Sequence, residues 1–126
     1  MTPPPRRVMG LLFVYGTLQR GCTNHAQLAG QAWVGAARTP PGFRLYQLEG
    51  YPGLVAHPDD RTGVSGEVWS VDAAGLERLD RFEGVAEGLY RRAPLPLLPP
   101  FAGQVVETYW YARSVAGRAD LGGRWT

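Results

Sequence analysis

Proline and glycine set the grain of this chain. Its 126 residues include 11 prolines and 17 glycines, and these cut the apolar sequence into short pieces. Pro-Pro-Gly at 40–42, Tyr-Pro-Gly at 51–53 and the turn-rich Pro99-Pro100-Phe101-Ala102-Gly103 are strong breakers. Between such signals Leu11–Tyr15, Ala32–Ala37, Phe43–Leu48, Leu54–His57, Val64–Val71, Tyr90–Leu98 and Val105–Ala112 read as strands. Within Val64–Val71, Val64, Gly66, Val68 and Ser70 alternate against Ser65, Glu67, Trp69 and Val71, and the pattern does not say which face is buried. A long helix fits one segment. Ala73–Phe82 lacks proline, holds good helix formers apart from Gly75, and follows Asp72 in the N-cap position. Asn24 is placed to cap a short helical piece through Leu28. Many short strands and one main helix predict an α+β fold, a curled sheet or small mixed β-barrel of about six or more strands, with the main helix and the short helical segment packed beside it.

The length is that of one domain. Residues 1–10, with three consecutive prolines and two arginines, read as a flexible N-terminal arm, 11–113 as the folded domain and 114–126 as a polar, Gly-rich tail. No stretch reaches the roughly 18 apolar residues of a membrane span, and the run after Arg6 and Arg7 is too short for a signal peptide, so a cytoplasmic location without membrane attachment is expected. The single Cys22 and the two histidines, His25 and His57, are a thin supply for a disulfide or a structural zinc site, and no metal or cofactor is expected. All 13 basic residues are arginine. A chain without lysine cannot use Schiff-base, pyridoxal phosphate or Walker A chemistry. The arginines are spread along the chain, and Arg91 and Arg92 with Tyr109-Trp-Tyr111 form no recognised nucleic-acid motif, so no nucleic-acid partner is expected. Nothing specifies an oligomeric state.

Four places could carry chemistry. On a wheel of roughly 100° per residue with Leu76 at zero, Leu79 falls near −60°, Glu83 near −20° and Asp80 near +40°. A carboxylate therefore points where the apolar stripe points, and burial together with a like charge three residues away would raise its pKa, as a general acid/base requires. The wheel does not choose between Glu83 and Asp80, whereas Glu77 and Arg81 form a solvated i,i+4 pair on the opposite flank. The second place is the loop Tyr15-Gly16-Thr17-Leu18 after the first strand, where glycine leaves amide groups open to a carboxylate or oxyanion. Ser65 in Gly63-Val-Ser-Gly66 misses the nucleophile-elbow pattern because Glu67 stands at the second glycine position. Cys22 lies too close in sequence to Asn24 and His25 for the usual assembled thiol and base, and His57 before Pro58 reads as a strand end.

The order of segments is more specific than any one of them. Phe13-Val-Tyr-Gly-Thr-Leu-Gln-Arg-Gly, Asn24-His25, Tyr51-Pro, Ser65-Gly-Glu-Val-Trp-Ser-Val-Asp, Leu79-Asp-Arg-Phe-Glu-Gly84 and Leu89-Tyr-Arg-Arg92 together resemble the gamma-glutamyl cyclotransferase-like family, from about Leu12 to Ala112. Within it the gamma-glutamylamine cyclotransferase branch is the better match, because Tyr-Gly-Thr-Leu differs from the Tyr-Gly-Ser-Asn-Leu of the glutathione-related branch. The resemblance implies a small mixed barrel with helices beside it, no cofactor, and a small gamma-glutamyl substrate. It also implies Glu83 as the catalytic glutamate, Tyr15, Gly16, Thr17 and Leu18 as the loop that lines the substrate cavity and supplies backbone donors, and Tyr90 beside the same cleft. The implied reaction is attack of the substrate's own α-amine on its γ-carbonyl, giving 5-oxoproline and a free amine. The alternative is a non-catalytic member of the same fold that binds a small acid or a protein partner.

Overall fold

The computed structural model describes residues 9–125. Its elements in chain order are β1 (Met9–Val14), a 3-10 turn (His25–Leu28), β2 (Ala32–Arg38), β3 (Phe43–Gln47), β4 (Pro52–Ala56), β5 (Ser65–Asp72), α1 (Ala73–Phe82), β6 (Tyr90–Pro94), β7 (Val106–Tyr111) and β8 (Asp120–Gly122). Most of the expected N-terminal arm lies outside the described residues, and its last two positions already belong to β1.

The strands form one mixed sheet in the order β2-β5-β1-β7-β4-β3-β8, with β6 also paired to β7. The sheet curls without closing into a barrel. Its hub is β7, which β6 accompanies from Tyr111 back to Glu107. The opposite edge of β7 is shared end to end by two parallel partners: β1 pairs with Val106–Thr108 and β4 with Trp110. At the junction, Tyr15 leaves β1 and its hydroxyl donates to Tyr109 O at 2.6 Å while accepting from Leu54 N at 3.2 Å. One side chain thus ties the three strands together where the sheet divides.

β5 sends residues of both faces into buried clusters, which settles its ambiguous alternation. Trp69 and Val71 join Leu12, Val14, Leu79, Tyr90 and Tyr109 in the cluster that α1 covers. Val64 and Val68 join Phe13, Leu45, Leu54, Leu95 and Val106 in a second cluster, around which the strands curl. α1 has the expected bounds, and Asp72 caps it by accepting from Gly75 N at 2.7 Å. Gly75 is required because a Cβ there would stand 2.8 Å from both Gln31 Nε2 and Val71 Cγ1.

Three readings of the sequence are corrected. β6 stops at Pro94 and not at Leu98, since Pro94 and Pro96 carry no N–H for a ladder. Pro52 opens β4 and does not precede it. The segment expected to be a polar tail supplies β8, which pairs with the free edge of β3, and Leu121 and Trp125 pack on the second cluster.

Candidate active site

A cleft of about 180 Å³ opens where β1 and β4 part on β7. Phe13 to Leu18, Asn24, Tyr51, Pro52, Phe82, Glu83, Leu89, Tyr90 and Tyr109 line it. The residues that the family resemblance implies for the site, Tyr15, Gly16, Thr17, Leu18, Glu83 and Tyr90, are all among them.

The C-terminus of α1 aims Glu83 into the cleft. Its N–H donates to Leu79 O at 2.8 Å, Gly84 N to Arg81 O at 3.2 Å and Val85 N to Asp80 O at 3.0 Å. With Gly84 at φ 66°, this is the left-handed glycine cap that ends a helix sharply. The Glu83 carboxylate has no hydrogen-bond or ion-pair partner among the described residues, and burial pushes its pKa up to about 7. The surrounding tyrosine hydroxyls do not donate to it: Tyr15 donates to Tyr109 O, Tyr90 to Pro52 O at 2.7 Å and Tyr109 to Asp80 Oδ1 at 2.7 Å. Burial first, and then the charge of Glu83, raise the Tyr15 phenol. The same charge reaches Tyr90 and Tyr109. Three neutral rings and one lone carboxyl therefore face one another.

Asp80 does not contribute in the way its spacing implied. Arg92 grips it through Nε at 2.8 Å and Nη2 at 3.1 Å and also pairs with Glu107. Burial raises the Asp80 pKa, but the hydrogen bonds from Arg92 and Tyr109 outweigh it and hold the group below the ordinary carboxylate value. Its charge is neutralised locally, and desolvation is what perturbs Glu83. The same network takes up Arg92 and Tyr109, two of the basic and aromatic residues weighed above for nucleic-acid binding. Glu77 and Arg81 form the exposed i,i+4 pair as expected, at 3.2 Å.

Opposite Glu83, loop 15–18 turns its carbonyls into the protein. Gln19 Nε2 donates to Tyr15 O at 3.0 Å and to Gly16 O at 3.3 Å, Asn24 N donates to Thr17 O at 2.9 Å, and His25 Nδ1 lies 3.0 Å from Leu18 O. The amides of Gly16, Thr17 and Leu18 meet no acceptor among the described residues. Three consecutive N–H groups without internal partners make a nest for a carboxylate or oxyanion. Asn24, expected as a helix cap, makes no side-chain cap bond. It donates instead to Thr17 Oγ1 at 2.9 Å and braces the loop. The far end of the loop is tied down by Glu67, which accepts from Arg20 N and Nε, both at 3.1 Å, and from Trp69 Nε1 at 3.2 Å.

The remaining candidates fall outside the cleft. Ser65 lies on β5 with its hydroxyl bonded to Arg38, far from any strand-to-helix elbow, and Cys22 sits in the loop that follows the nest, half-buried and free. Sequence reasoning missed Tyr51, Phe82, Leu89 and Tyr109 as lining residues.

Residues 12–126 match the family model described as gamma-glutamyl cyclotransferase, AIG2-like. The chain belongs to that gamma-glutamyl cyclotransferase family. It is 40% identical over 94 residues to the gamma-glutamylaminecyclotransferase of Homo sapiens, covering 69% of this chain and 61% of that protein. It is also 44% identical over 75 residues to a Vibrio cholerae protein named provisionally as a gamma-glutamylcyclotransferase, covering 60% and 63%. These matches span less than two thirds of those relatives. Among solved structures, an AIG2-like protein from Mus musculus superimposes with a TM-score of 0.68 at 32% identity, over 84% of this chain and 78% of that one. A uropathogenic E. coli-specific protein shares the cyclotransferase fold with a TM-score of 0.76 at 24% identity, over 91% and 89%. No helix among the described residues of this cyclotransferase-family chain is long and apolar enough to cross a membrane.

Proposed function

We propose that this chain converts a gamma-glutamyl amide, with the amine-linked compounds of its human relative as the first class to test, into 5-oxoproline and a free amine, with Glu83 as general acid and base. The observation that carries this reading is a partnerless, desolvated carboxyl lining the same cleft as a loop whose three successive amides have no acceptor among the described residues. A gamma-glutamyl amide brings its α-amine within five-membered-ring distance of its own γ-carbonyl. At neutral pH that amine is mostly protonated, so a base must take a proton before the nitrogen can attack. Glu83, with its proton affinity matched to neutral pH, accepts it, and the new C–N bond forms as the oxyanion develops. The Gly16, Thr17 and Leu18 amides receive that oxyanion, at about 2.7–4 kcal/mol per well-placed donor. The scissile C–N bond then breaks as Glu83 returns its proton to the leaving nitrogen, and the second proton of the ring nitrogen passes to the freed Glu83 carboxylate and from there to the departing amine, which leaves as its ammonium ion. The exchange is one amide for another, and no water is consumed.

Holding the flexible glutamyl chain in near-attack geometry supplies a further share of the barrier reduction. Tyr15 and Tyr90 shape the walls, their hydroxyls already committed to backbone carbonyls. The test is to incubate the protein with a panel of gamma-glutamyl amides in ¹⁸O-water and follow products by mass spectrometry. Unlabelled 5-oxoproline is expected, together with no turnover of the N-acetylated substrates and a loss of about 10²–10⁴-fold in kcat for Glu83→Gln. Labelled glutamate as first product would mean hydrolysis, and no turnover of any amide would leave a binding protein.

A further inference from the structure

Two carboxylates lie three residues apart at the end of α1, and one hydroxyl distinguishes them. Tyr109 rises from β7, lines the cleft and feels the charge of Glu83. Its hydroxyl nevertheless donates to Asp80, at 2.7 Å. Asp80 is fixed to receive it, because Arg92 of β6 holds both its oxygens and is itself paired with Glu107 of β7. A hydroxyl donating to an ionised carboxylate stabilises the charged form and makes the group a weaker base. The acceptor that Tyr109 uses therefore matters for the neighbouring carboxylate.

The titratable groups that share the cleft with Glu83 are Tyr15 from the loop after β1, Tyr51 before β4, Tyr90 from β6 and Tyr109 from β7; the charged groups next to it along the chain are Asp80, which Arg92 of β6 holds, and Glu87 in the turn that follows. Tyr15 and Tyr90 give their protons to the main chain, at Tyr109 O and Pro52 O. Of the three tyrosines whose phenols interact with Glu83 and donate elsewhere, Tyr109 is the one whose acceptor is a side chain. We propose that Asp80 is a positioning residue for the cyclotransferase reaction: by accepting the Tyr109 hydroxyl it keeps that donor away from Glu83, so that the base works with a bare carboxylate. The inference rests on Glu83 being the general base, and it assigns a purpose to the Asp80, Arg92 and Tyr109 cluster beyond holding α1 to the sheet.

The test measures the protonation midpoint of Glu83 by carboxyl ¹³C NMR and, beside it, the acid limb of kcat/KM, in the full chain and in defined variants. Asp80→Ala frees the hydroxyl to turn to Glu83, and both midpoint and limb are expected to fall by about one pH unit. Asp80→Asn keeps an oxygen for Tyr109 and is expected to leave both unmoved. Asp80→Ala combined with Tyr109→Phe removes the freed donor and is expected to restore the wild-type midpoint. An Asn variant as low as the Ala variant, or a double variant as low as the single one, would assign the shift to lost charge and overturn the proposal, as would an unmoved Ala variant. If Asp80→Ala does not fold, Asp80→Asn and Tyr109→Phe decide it: both are expected at the wild-type midpoint, and a lowered value in the first or a raised value in the second overturns the proposal. The NMR midpoint needs no turnover, so failure of Glu83 as base, seen as an active Glu83→Gln enzyme, is read separately.

Discussion

Glu83 should make the folded protein less stable as the pH rises, and removing its charge should reveal by how much. Burial raises its pKa from 4.5 to about 7, so the folded state holds the proton more tightly than the unfolded chain. Below about pH 4 both states are protonated and the group contributes no penalty. As the pH climbs through the unfolded value, the unfolded chain ionises first and gains the advantage. The penalty grows until the folded carboxyl ionises near pH 7 and is constant above that. At 1.36 kcal/mol per pH unit the full effect is about 3 kcal/mol, on the order of 10 °C in Tm for a domain of this size. Glu83→Gln lacks the titration, and any packing cost of its amide is the same at every pH. Urea midpoints for both proteins at pH 4, 6 and 8 check this: the stability of the Gln variant relative to wild type should rise by about 3 kcal/mol between the extremes. A flat difference would mean that the Glu83 carboxyl is solvated in the folded state, and the base assignment would lose its physical ground.

Three further outcomes follow from the same structure. Tyr15→Phe leaves Leu54 N–H and Tyr109 C=O without the hydroxyl that joins them, which should cost about 1–3 kcal/mol in a urea titration. Gly16→Ala should lower both Tm and kcat, because its Cβ would stand 2.6 Å from Pro52 Cγ and the loop must move off the cleft wall. Overpacking of this kind costs about 1–3 kcal/mol, and an unchanged Tm would show that the loop has room. Asp60 accepts from Gly42 N, Thr62 N and Gly63 N. Burial alone would raise its pKa, but those backbone bonds bring it down to about 2. Its contribution to stability should be complete above its unfolded value and disappear as the pH falls toward 2, so acid unfolding of Asp60→Asn should lack that part of the transition.

What the sequence made legible depended on how far each interaction reaches. The helix was readable end to end because its signals are local: Asp72 at the cap, good helix formers and no proline inside. The loop at 15–18 was readable from the glycine and its place after an apolar strand. β8 was not, since Asp-Leu-Gly shows no alternation and becomes a strand only because β3 offers it an edge. The role of Asp80 was misjudged for a similar reason. Proximity to Glu83 is visible along the helix, whereas Arg92, 12 residues on, and Tyr109, 29 residues on, reach it only through the fold. The clash that makes Gly16 necessary lies with Pro52, on another strand.

The division of one β7 edge between β1 and β4 makes folding itself the step that would arm the proposed chemistry. β1 waits through nearly the whole chain for its parallel partner, with Phe13 opposite Thr108, and pairings so distant in sequence form late. During synthesis the nest loop and the helix bearing Glu83 leave the ribosome well before Tyr109. Until β7 docks, Glu83 stays in water as an ordinary acid, ionised and too weak a base to deprotonate an amine efficiently. On the proposed mechanism, a nascent or misfolded chain carries every residue the reaction needs and still lacks a competent base until β7 docks at the hub of the sheet.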